Sequence, residues 1–396
     1  MSKIHARWQT RAVLLVSILV ASCVSGIGGT SASAAPATGT PLKFGLLADQ
    51  SGPEATPEYG LAIEAYVANW NKHGGYKGHP IQLIVKDTMF NPTLTADFAR
   101  TLVDQDQVIG MAGDGAYLDC SVNNSFYQSA GVAVLGGGLG TCFLAGTDFA
   151  EMRPNGSGGL SVAFDYLAHT GSKKIALVAP SLVAPTAITS VEAYMKTQRE
   201  SSLVAAPPLP YPATAADFDS IISNLKSQNV DAVVALAGDT DASALFLQEA
   251  ARANFGPANG IRVFVSSTSY TPSAASALDG AYLVTNGYPW SSLNNPQVKT
   301  AFQILKGKGS NANLDGFAEL GYQDAGLFQE ALDSIHGPVT RASYKEALKK
   351  LRNVPFALTP MKVTPSQPNT FPVGGGIVKA KNGKFVTVAQ FVQTNY

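Results

Sequence analysis

The chain has 396 residues, with 28 Lys plus Arg, 28 Asp plus Glu and 45% hydrophobic residues. Single hydrophobic cores stop growing below this length, so we expect more than one domain. The zero net charge gives no basis for a nucleic-acid partner or for an electrostatic membrane surface.

Residues 1–23 have the pattern of a signal peptide, because three basic residues precede an apolar run over 12–20 that is too short to span a membrane permanently. Two processing routes fit the sequence. The segment ending in Cys23 resembles a bacterial lipobox, so that Cys23 would be lipidated and the product would be a cell-surface lipoprotein. The small residues around 33–35 offer instead a cleavage site that gives a freely secreted or periplasmic protein. We favour the lipoprotein, with residues 24–41 as a flexible tether rich in Gly, Ser, Ala, Thr and Pro.

The first part of the mature chain alternates apolar strand-like runs with helical periodicity. Strands are predicted over 42–47, 81–86, 108–111 and 132–135, and helices over 59–72, 93–105 and between the last two strands. This βαβαβαβ order predicts half of a doubly wound α/β protein with a parallel sheet.

After a turn-rich crossover at 151–159, the same rhythm restarts. Helices are predicted over 160–170, 189–201, 217–228 and 242–253, and strands over 174–179, 231–237, 262–265 and 281–285. A second crossover is expected at 286–290, followed by long helices over 297–306, 317–335 and 341–351 that pack on the first half, and a third crossover within 356–372. The tail over 376–392 predicts a hairpin, with Asn382-Gly383 as its turn.

Two loops of the first half are candidates for a ligand cleft, since ligands of open parallel sheets bind beyond the carboxyl ends of the strands. The first loop carries Asp114, Gly115, Tyr117 and Asp119, and the second is the run Gly136, Gly137, Gly138. The aspartates could bind a cation or a hydroxyl-rich ligand, or they could cap the next helix. The glycines could form an anion-binding nest or only allow a sharp strand exit.

Cys120 and Cys142 end these two loops. In an exported protein they are candidates for a disulfide that braces the cleft wall, the alternative being two buried thiols. A metal site is not expected, because neither cysteine belongs to a paired motif or has a nearby histidine.

Other candidates for ligand contact follow the remaining strands or lie at the second crossover. Four of the five also have a purely structural explanation: a turn for Ser51, a helix cap for Asp239, and packing for the two tyrosines. These candidates are Ser51, Asp239, Thr268, Tyr270 and Tyr288.

Several strings, in order, resemble the type I periplasmic solute-binding proteins of the branched-chain amino acid ABC transporter group. They include LKFGLLADQSGP, LVDQDQVIGMAGDGA, YQSAGVAVLGGG, DFDSIISNLKSQNVDAVVALAG and FAELGYQDAGLFQEAL. The resemblance covers residues 42–396 and implies two Rossmann-like lobes with parallel central sheets, joined by a three-segment hinge. We expect lobe 1 to comprise 42–155 plus 287–356, and lobe 2 to comprise 156–286 plus 357–396.

The resemblance also implies where a ligand would bind. The family holds the ligand carboxylate with hydroxyl and backbone N–H groups of two loops, which map to about 116–120 and 136–138. The second lobe normally supplies an aromatic residue after its first strand and an acid for the ligand's ammonium group, from a loop that here is 266–270. Here the segment 181–183 has no aromatic residue and the loop 266–270 has no acid, although Asp239 or Asp241 on the neighbouring loop could replace the acid. These departures point to an amino-acid-like, amide, aromatic or carboxylate compound in place of a simple amino acid.

The sequence therefore predicts an extracytoplasmic substrate-binding protein of an ABC importer, with a small-molecule ligand and a membrane permease as partners. No cofactor is expected, and contact with the membrane is expected only through the lipid anchor. One alternative is a ligand-sensing receptor domain without transport, and another is a secreted α/β enzyme. The enzyme is disfavoured, because the sequence has no G-x-S-x-G, P-loop or H-E-x-x-H motif, and the first strand leads into DQSGPE in place of G-x-G-x-x-G.

Overall fold

The architecture was derived from a computed structural model. It describes residues 35–52, 55–136, 149–151, 158–179, 191–192, 196, 201–204, 206–209, 218–236, 240–265, 269–307, 314–364 and 373–394. Within this part of the chain no helix is long and apolar enough to cross a membrane.

The first half of the described chain builds a parallel sheet with the strand order β2-β1-β3-β4-β5. Its strands are β1 (Leu42–Ala48), β2 (Ile81–Asp87), β3 (Met111–Gly115), β4 (Val134–Gly136) and β5 (Phe149–Glu151), and its helices are α1 (Pro57–Lys72), α2 (Pro92–Arg100) and α3 (Asp119–Ala130).

The second half builds another sheet, with the order β14-β13-β10-β9-β8-β6-β7. Its strands are β6 (Lys174–Val178), β7 (Ser202–Val204), β8 (Ala232–Ala235), β9 (Arg262–Val265), β10 (Tyr282–Val284), β13 (Val373–Lys381) and β14 (Lys384–Thr394), and its helices are α4 (Gly158–His169), α5 (Phe218–Ser227), α6 (Thr240–Arg252) and α7 (Pro272–Ala277). Strands β6 to β10 run parallel to one another, whereas β13 is antiparallel to both of its neighbours, β10 and β14.

Three helices that follow β10 pack against the first half of the chain, as expected. They are α8 (Pro296–Lys306), α9 (Gly316–Asp333) and α10 (Arg341–Lys350), followed by a small ladder of β11 (Val354–Pro355) and β12 (Lys362–Val363). The Phe328 ring of α9 lies edge-on to Phe44 of β1, with centroids 4.7 Å apart, and Tyr344 of α10 contacts both rings. The first sheet is therefore buried by a distant segment of the chain.

Local signals explain several boundaries. The Asn91 side chain accepts hydrogen bonds from the N–H groups of Thr93 and Leu94, and Pro92 occupies the first position of α2. The hairpin turn is confirmed at Asn382 and Gly383, with φ of 52° and 69°, because both positions need the left-handed conformation that Asn and Gly tolerate.

One predicted strand was misplaced. The run over 108–111 was expected to form the strand and Asp114 to lie in a loop, but the strand is Met111–Gly115 and contains Asp114 and Gly115. The small residues are needed there because large side chains cover the strand: a Cβ on Gly110 would overlap the Tyr344 ring, and one on Gly113 would overlap Ile63. A run of small residues thus forms a buried strand.

Other expectations need smaller corrections. The helix predicted over 93–105 is α-helical only to Arg100 and ends in a π-helical turn, Thr101–Gln105. The last part of the predicted tether is held to the first lobe, because the N–H groups of Ala37 and Gly39 donate to the carbonyls of Asn71 and Gly78. Most of the helix predicted over 189–201 lies outside the described residues.

Candidate functional site

The carboxyl ends of β1, β2 and β3 lie side by side, and polar residues follow each of them. Ala48 pairs with Asp87 on one side and with Gly115 on the other. Ser51, Asp114, Gly115, Tyr117 and Gly136, all predicted from the sequence, are therefore placed at one edge of the first sheet, which we call the rim. The rim is where an open parallel sheet binds its ligand.

Asp49 organises the rim from the end of β1. Its fully buried carboxylate accepts hydrogen bonds from the Thr88 hydroxyl, from the Phe90 N–H at 2.7 Å and from the Tyr117 N–H at 3.0 Å. One carboxylate thereby fixes the loops that follow β2 and β3. Asp49 was not among the residues predicted from the sequence, although an acid directly after a buried strand is a signal for such a role.

Asp87 has a similar role at the surface of the rim. It accepts hydrogen bonds from the N–H groups of Gln50, Ser51 and Met89 and from the Ser51 hydroxyl, the last at 2.6 Å. Partial desolvation raises the pKa of this carboxyl, but these hydrogen bonds outweigh that effect, and the pKa is lowered. Asp87 is therefore a fixed negative charge, and the hydroxyl of Ser51, predicted as a ligand contact, is bonded to it.

The loop after β2 presents two apolar side chains in an unusual backbone conformation. Met89 and Phe90 both have φ of 55°, a region that bulky residues rarely adopt, and the two carboxylates described above hold it. Met89 is 47% exposed, and the Phe90 ring lies edge-on to Tyr117 with centroids 6.3 Å apart. The rim therefore has an aromatic surface that the sequence analysis missed.

Two glycines of the predicted ligand loops are required for packing. A Cβ on Gly115 would overlap the Tyr59 ring of α1, and one on Gly136 would overlap Asp114. The Tyr59 hydroxyl donates to Asp324 and accepts the Asp114 N–H at 3.2 Å. Gly137 and Gly138, the other two glycines of the predicted anion nest, lie outside the described residues.

Asp114 and Asp119 are both fully buried. Asp114 accepts the Ala116 N–H at 3.1 Å, and Asp119 accepts Asn123 at 2.6 Å and the Tyr127 hydroxyl at 3.2 Å. Burial raises the pKa of Asp119 to about 7, against the opposing hydrogen bonds and with a smaller contribution from Asp49. Both aspartates have partners inside the lobe.

The second crossover is tied to the first turns of α9. The Asn286 N–H donates to Glu319 at 2.8 Å, the Asn286 side chain donates to the Gly316 carbonyl, and the Trp290 indole donates to the Asp315 carbonyl. Burial is the main cause that raises the pKa of Asp315 to about 8 and the pKa of Glu319 well above its ordinary value.

Tyr270 and Tyr288 lie near this crossover and not on the rim. The Tyr270 ring is edge-on to Phe385, with centroids 5.3 Å apart, and burial together with Glu319 and Asp315 raises its pKa. The Tyr288 N–H donates to the Leu358 carbonyl, and its ring lies 5.9 Å from that of Phe391. These contacts agree with the packing explanation given above for both tyrosines.

Cys120, in the first turn of α3, is disulfide-bonded in the structure. The remaining predicted site residues lie outside the described part of the chain: Cys23, Cys142, Asp239 and Thr268.

The groups brought together at the rim suit binding. They are carboxylates that already accept several hydrogen bonds, a hydroxyl, and the aromatic pair Phe90 and Tyr117. Among the described residues no cluster of three His, Cys, Asp or Glu side chains could hold a metal ion.

Solved structures share this architecture at low sequence identity. A branched-chain amino acid ABC transporter protein from Thermus thermophilus with bound valine superposes with a TM-score of 0.74 at 17% identity, covering 90% of this chain and 98% of that one. A solute-binding protein from R. palustris in complex with 4-hydroxybenzoate gives 0.72 at 16% identity and the same coverage. A fatty acid ABC transporter substrate-binding protein from Thermomonospora curvata gives 0.71 at 19% identity, covering 91% and 95%. The fold is that of the type I periplasmic binding proteins.

The sequence itself gives the family. The chain belongs to the periplasmic binding protein family, whose model matches residues 41–394. It is 25% identical over 343 residues to the Leu/Ile/Val-binding protein homolog 7 of Brucella abortus (strain 2308), covering 81% of this chain and 84% of the relative. Membership of this family implies an exported protein.

Proposed function

We propose that this protein is the substrate-binding component of an ABC importer and captures a small organic solute between its two lobes. The proposal depends on one observation: hydrogen bonds fix the loops of the rim in place. Two carboxylates there hold the strained loop of Met89 and Phe90 and the backbone of Tyr117. Strain of this kind is concentrated at binding sites, where the surrounding structure fixes it.

We infer an apolar or aromatic body for the solute. The N–H groups of Ala116 and Tyr117, which the family resemblance assigns to a ligand carboxylate, already donate to Asp114 and Asp49. The rings of Phe90 and Tyr117, which lie beside these N–H groups, are then the groups of the rim that contact the solute. Among the solved structures of this fold, one binds valine, which has an apolar side chain, and another binds 4-hydroxybenzoate, which has an aromatic ring.

The predicted site residues divide into two roles under this proposal. Ser51 and Tyr117 contact the solute from the rim, joined by Phe90, while Asp114, Gly115 and Asp119 position the rim from within. Asp239 and Thr268 are the proposed contacts from the second lobe. Gly136 sets the spacing between β3 and β4.

A melting-temperature screen followed by calorimetric titration tests the solute class. The panel consists of branched-chain amino acids, aromatic acids, amides and sugars. A solute at a hundred times its dissociation constant stabilises the protein by about 2.7 kcal/mol. We expect the largest shift from an aromatic or branched apolar compound, and no shift across the panel would contradict the proposal.

Variants then locate the site. Phe90→Ala and Tyr117→Ala are expected to weaken binding by about tenfold or more, since each removes a large apolar contact. Tyr166→Ala is the matched control, because this half-buried ring of α4 packs on Phe264 and Tyr282 in the second sheet. Equal weakening by all three variants would contradict the assignment of the rim.

Export and anchoring are proposed from the N-terminal sequence. Residues 1–23 are the signal peptide and Cys23 is the lipidated residue, with a tether that ends before Ala37, where bonding to the first lobe begins. Lobe 1 then comprises 42–155 plus 287–356, and lobe 2 comprises 156–286 plus 357–396. Cys23→Ser is expected to release the protein from the membrane fraction into the soluble one, and its retention would contradict the anchor.

We propose that the partner of Cys120 is Cys142, the one other cysteine beyond the signal region. The bond would close a loop of about twenty residues across the rim, for which chain entropy predicts a stabilisation of roughly 3 kcal/mol. Peptide mapping without reductant should give a single linked pair, and reductant should lower the melting temperature. Recovery of both cysteines as free thiols would contradict the pairing.

Transfer to a permease completes the proposed cycle. Ligand contacts on both lobes favour the closed form, and that form is presented to the membrane partner. Deletion of the gene that encodes this protein should abolish uptake of the solute identified by the screen. Unchanged uptake would favour a sensing role.

A further inference from the structure

A groove of about 460 Å³ lies apart from the rim, between α8 of the first lobe and the β13–β14 hairpin of the second sheet. None of the rim residues lines it. Tyr270 and Trp290 form its inner part, Phe302 and Lys306 contribute from α8, and Lys384 and Phe385 from the hairpin. We propose that this groove is a second ligand site and that it binds a small apolar carboxylate.

The size and the walls of the groove suit a small molecule. Ligand pockets of proteins span about 300–1,000 Å³ and are lined mainly by apolar and aromatic side chains. Four rings line this groove, and two of them, Tyr270 and Phe385, meet edge-on with centroids 5.3 Å apart. Trp290 is held by the hydrogen bond from its indole to the Asp315 carbonyl, 3.2 Å away. The apolar surface is therefore fixed before a ligand arrives.

The charge of the groove selects an anion. Lys306 and Lys384 lie among its lining residues, and the Lys306 ammonium is 5.1 Å from the centre of the Phe302 ring. No acidic residue is among the lining residues, and neither lysine forms an ion pair within the described part of the chain. Both ammonium groups are thus available to a carboxylate.

Three acids lie near the lining residues without being among them. Asp315 and Glu319 interact with Tyr270, and burial raises the pKa of Asp315 to about 8 and that of Glu319 well above its ordinary value, which disfavours a negative charge on either carboxyl. Asp279, close to the hairpin turn, accepts the Asn382 N–H at 2.7 Å. The groove therefore combines an aromatic interior with a cationic edge.

Tryptophan fluorescence provides a local readout. The chain has three tryptophans, and Trp8 is removed with the signal peptide under the proposed processing, so Trp70→Phe leaves Trp290 as the single reporter in the mature protein. The probes are 3-phenylpropanoate and 3-phenylpropanamide, which share a shape and differ in charge. We expect a saturable change of Trp290 emission with the carboxylate and binding about tenfold weaker for the amide.

Matched variants separate this site from the rim. Lys306→Ala with Lys384→Ala is expected to weaken carboxylate binding by about tenfold. The double variant Lys349→Ala with Lys350→Ala, on the exposed end of α10, should bind like the parent, and so should Phe90→Ala with Tyr117→Ala. The proposal is overturned by an unsaturable response, by equal affinity for acid and amide, or by loss of the response in the rim variant alone.

Discussion

At the scale of single residues, Asp119 carries the clearest electrostatic consequence. Its carboxyl is fully buried in the first turn of α3, and burial, opposed by the hydrogen bonds from Asn123 and Tyr127, raises its pKa from 3.8 to about 7. The folded protein therefore keeps a proton that the unfolded chain releases at lower pH. The protonated Asp119 carboxyl contributes its full stabilisation of the folded state below about pH 4, and this contribution is lost as the pH rises to about 7.

Asp119→Asn should remove this pH dependence, since the amide oxygen can still accept both hydrogen bonds. The free energy of unfolding of the parent should fall with pH across this window more steeply than that of the variant, by up to about 1.4 kcal/mol per pH unit. Denaturant unfolding at pH 4, 5.5 and 7 measures the two slopes. Asp97→Asn, on the exposed face of α2, is the control. Parallel slopes for Asp119→Asn and the parent would contradict the assignment.

Residue-scale reasoning from the sequence located the rim but not its internal contacts. Ser51, Asp114, Tyr117 and Gly136 were expected there because they follow predicted strands, and the structure places them at one sheet edge. The hydrogen bond by which Asp49 holds the Tyr117 backbone was not predictable, because the two residues are 68 positions apart. The left-handed pair Met89 and Phe90 was also missed, since neither residue type signals that conformation.

At the scale of elements, α9 depends on close packing against α1. A Cβ on Gly321 would overlap the backbone carbonyl of Tyr59, whereas one on Gly326 would make only ordinary contacts, the nearest at 3.7 Å from Ala357. Both glycines are interior to the same helix. They therefore form a matched pair: substitution of Gly326 changes helix propensity alone, whereas substitution of Gly321 also changes packing.

Gly326→Ala is expected to raise the free energy of unfolding by about 0.5–1 kcal/mol, because alanine favours the helix. Gly321→Ala is expected to lower it by about 1–3 kcal/mol, because the two helices must move apart. Chemical denaturation of both variants measures the difference. A stabilising effect of Gly321→Ala would show that α9 does not approach α1 as closely as described.

Elements with a strong local signal were predictable, and those made by distant pairing were not. Asn91-Pro92 marked the start of α2, and Asn382-Gly383 marked the hairpin turn. Strands β7, β11 and β12 have two or three residues each and no local pattern, so they exist only through their neighbours in the sheets. The strand Met111–Gly115 was shifted for a similar reason, because the Tyr59 ring of α1 covers its Gly115 and the Tyr344 ring of α10 covers the preceding Gly110.

At the scale of the whole molecule, the two sheets are joined where crossover segments run side by side. The Gly376 N–H donates to the Gly287 carbonyl, and the Tyr288 N–H donates to the Leu358 carbonyl. The first turns of α9 fix the same crossover through Glu319 and Asn286. Under the proposed function, we expect this crossover to act as a hinge on which the lobes close around a solute that contacts both of them.

Hydrogen–deuterium exchange of the mature protein, with and without the solute that gives the largest melting shift, tests binding between the lobes most directly. We predict slower exchange in two separate peptides, one covering 114–118 on the rim and one from the second lobe covering 231–241. Protection confined to a single lobe, or absent from the rim, would contradict capture between two lobes.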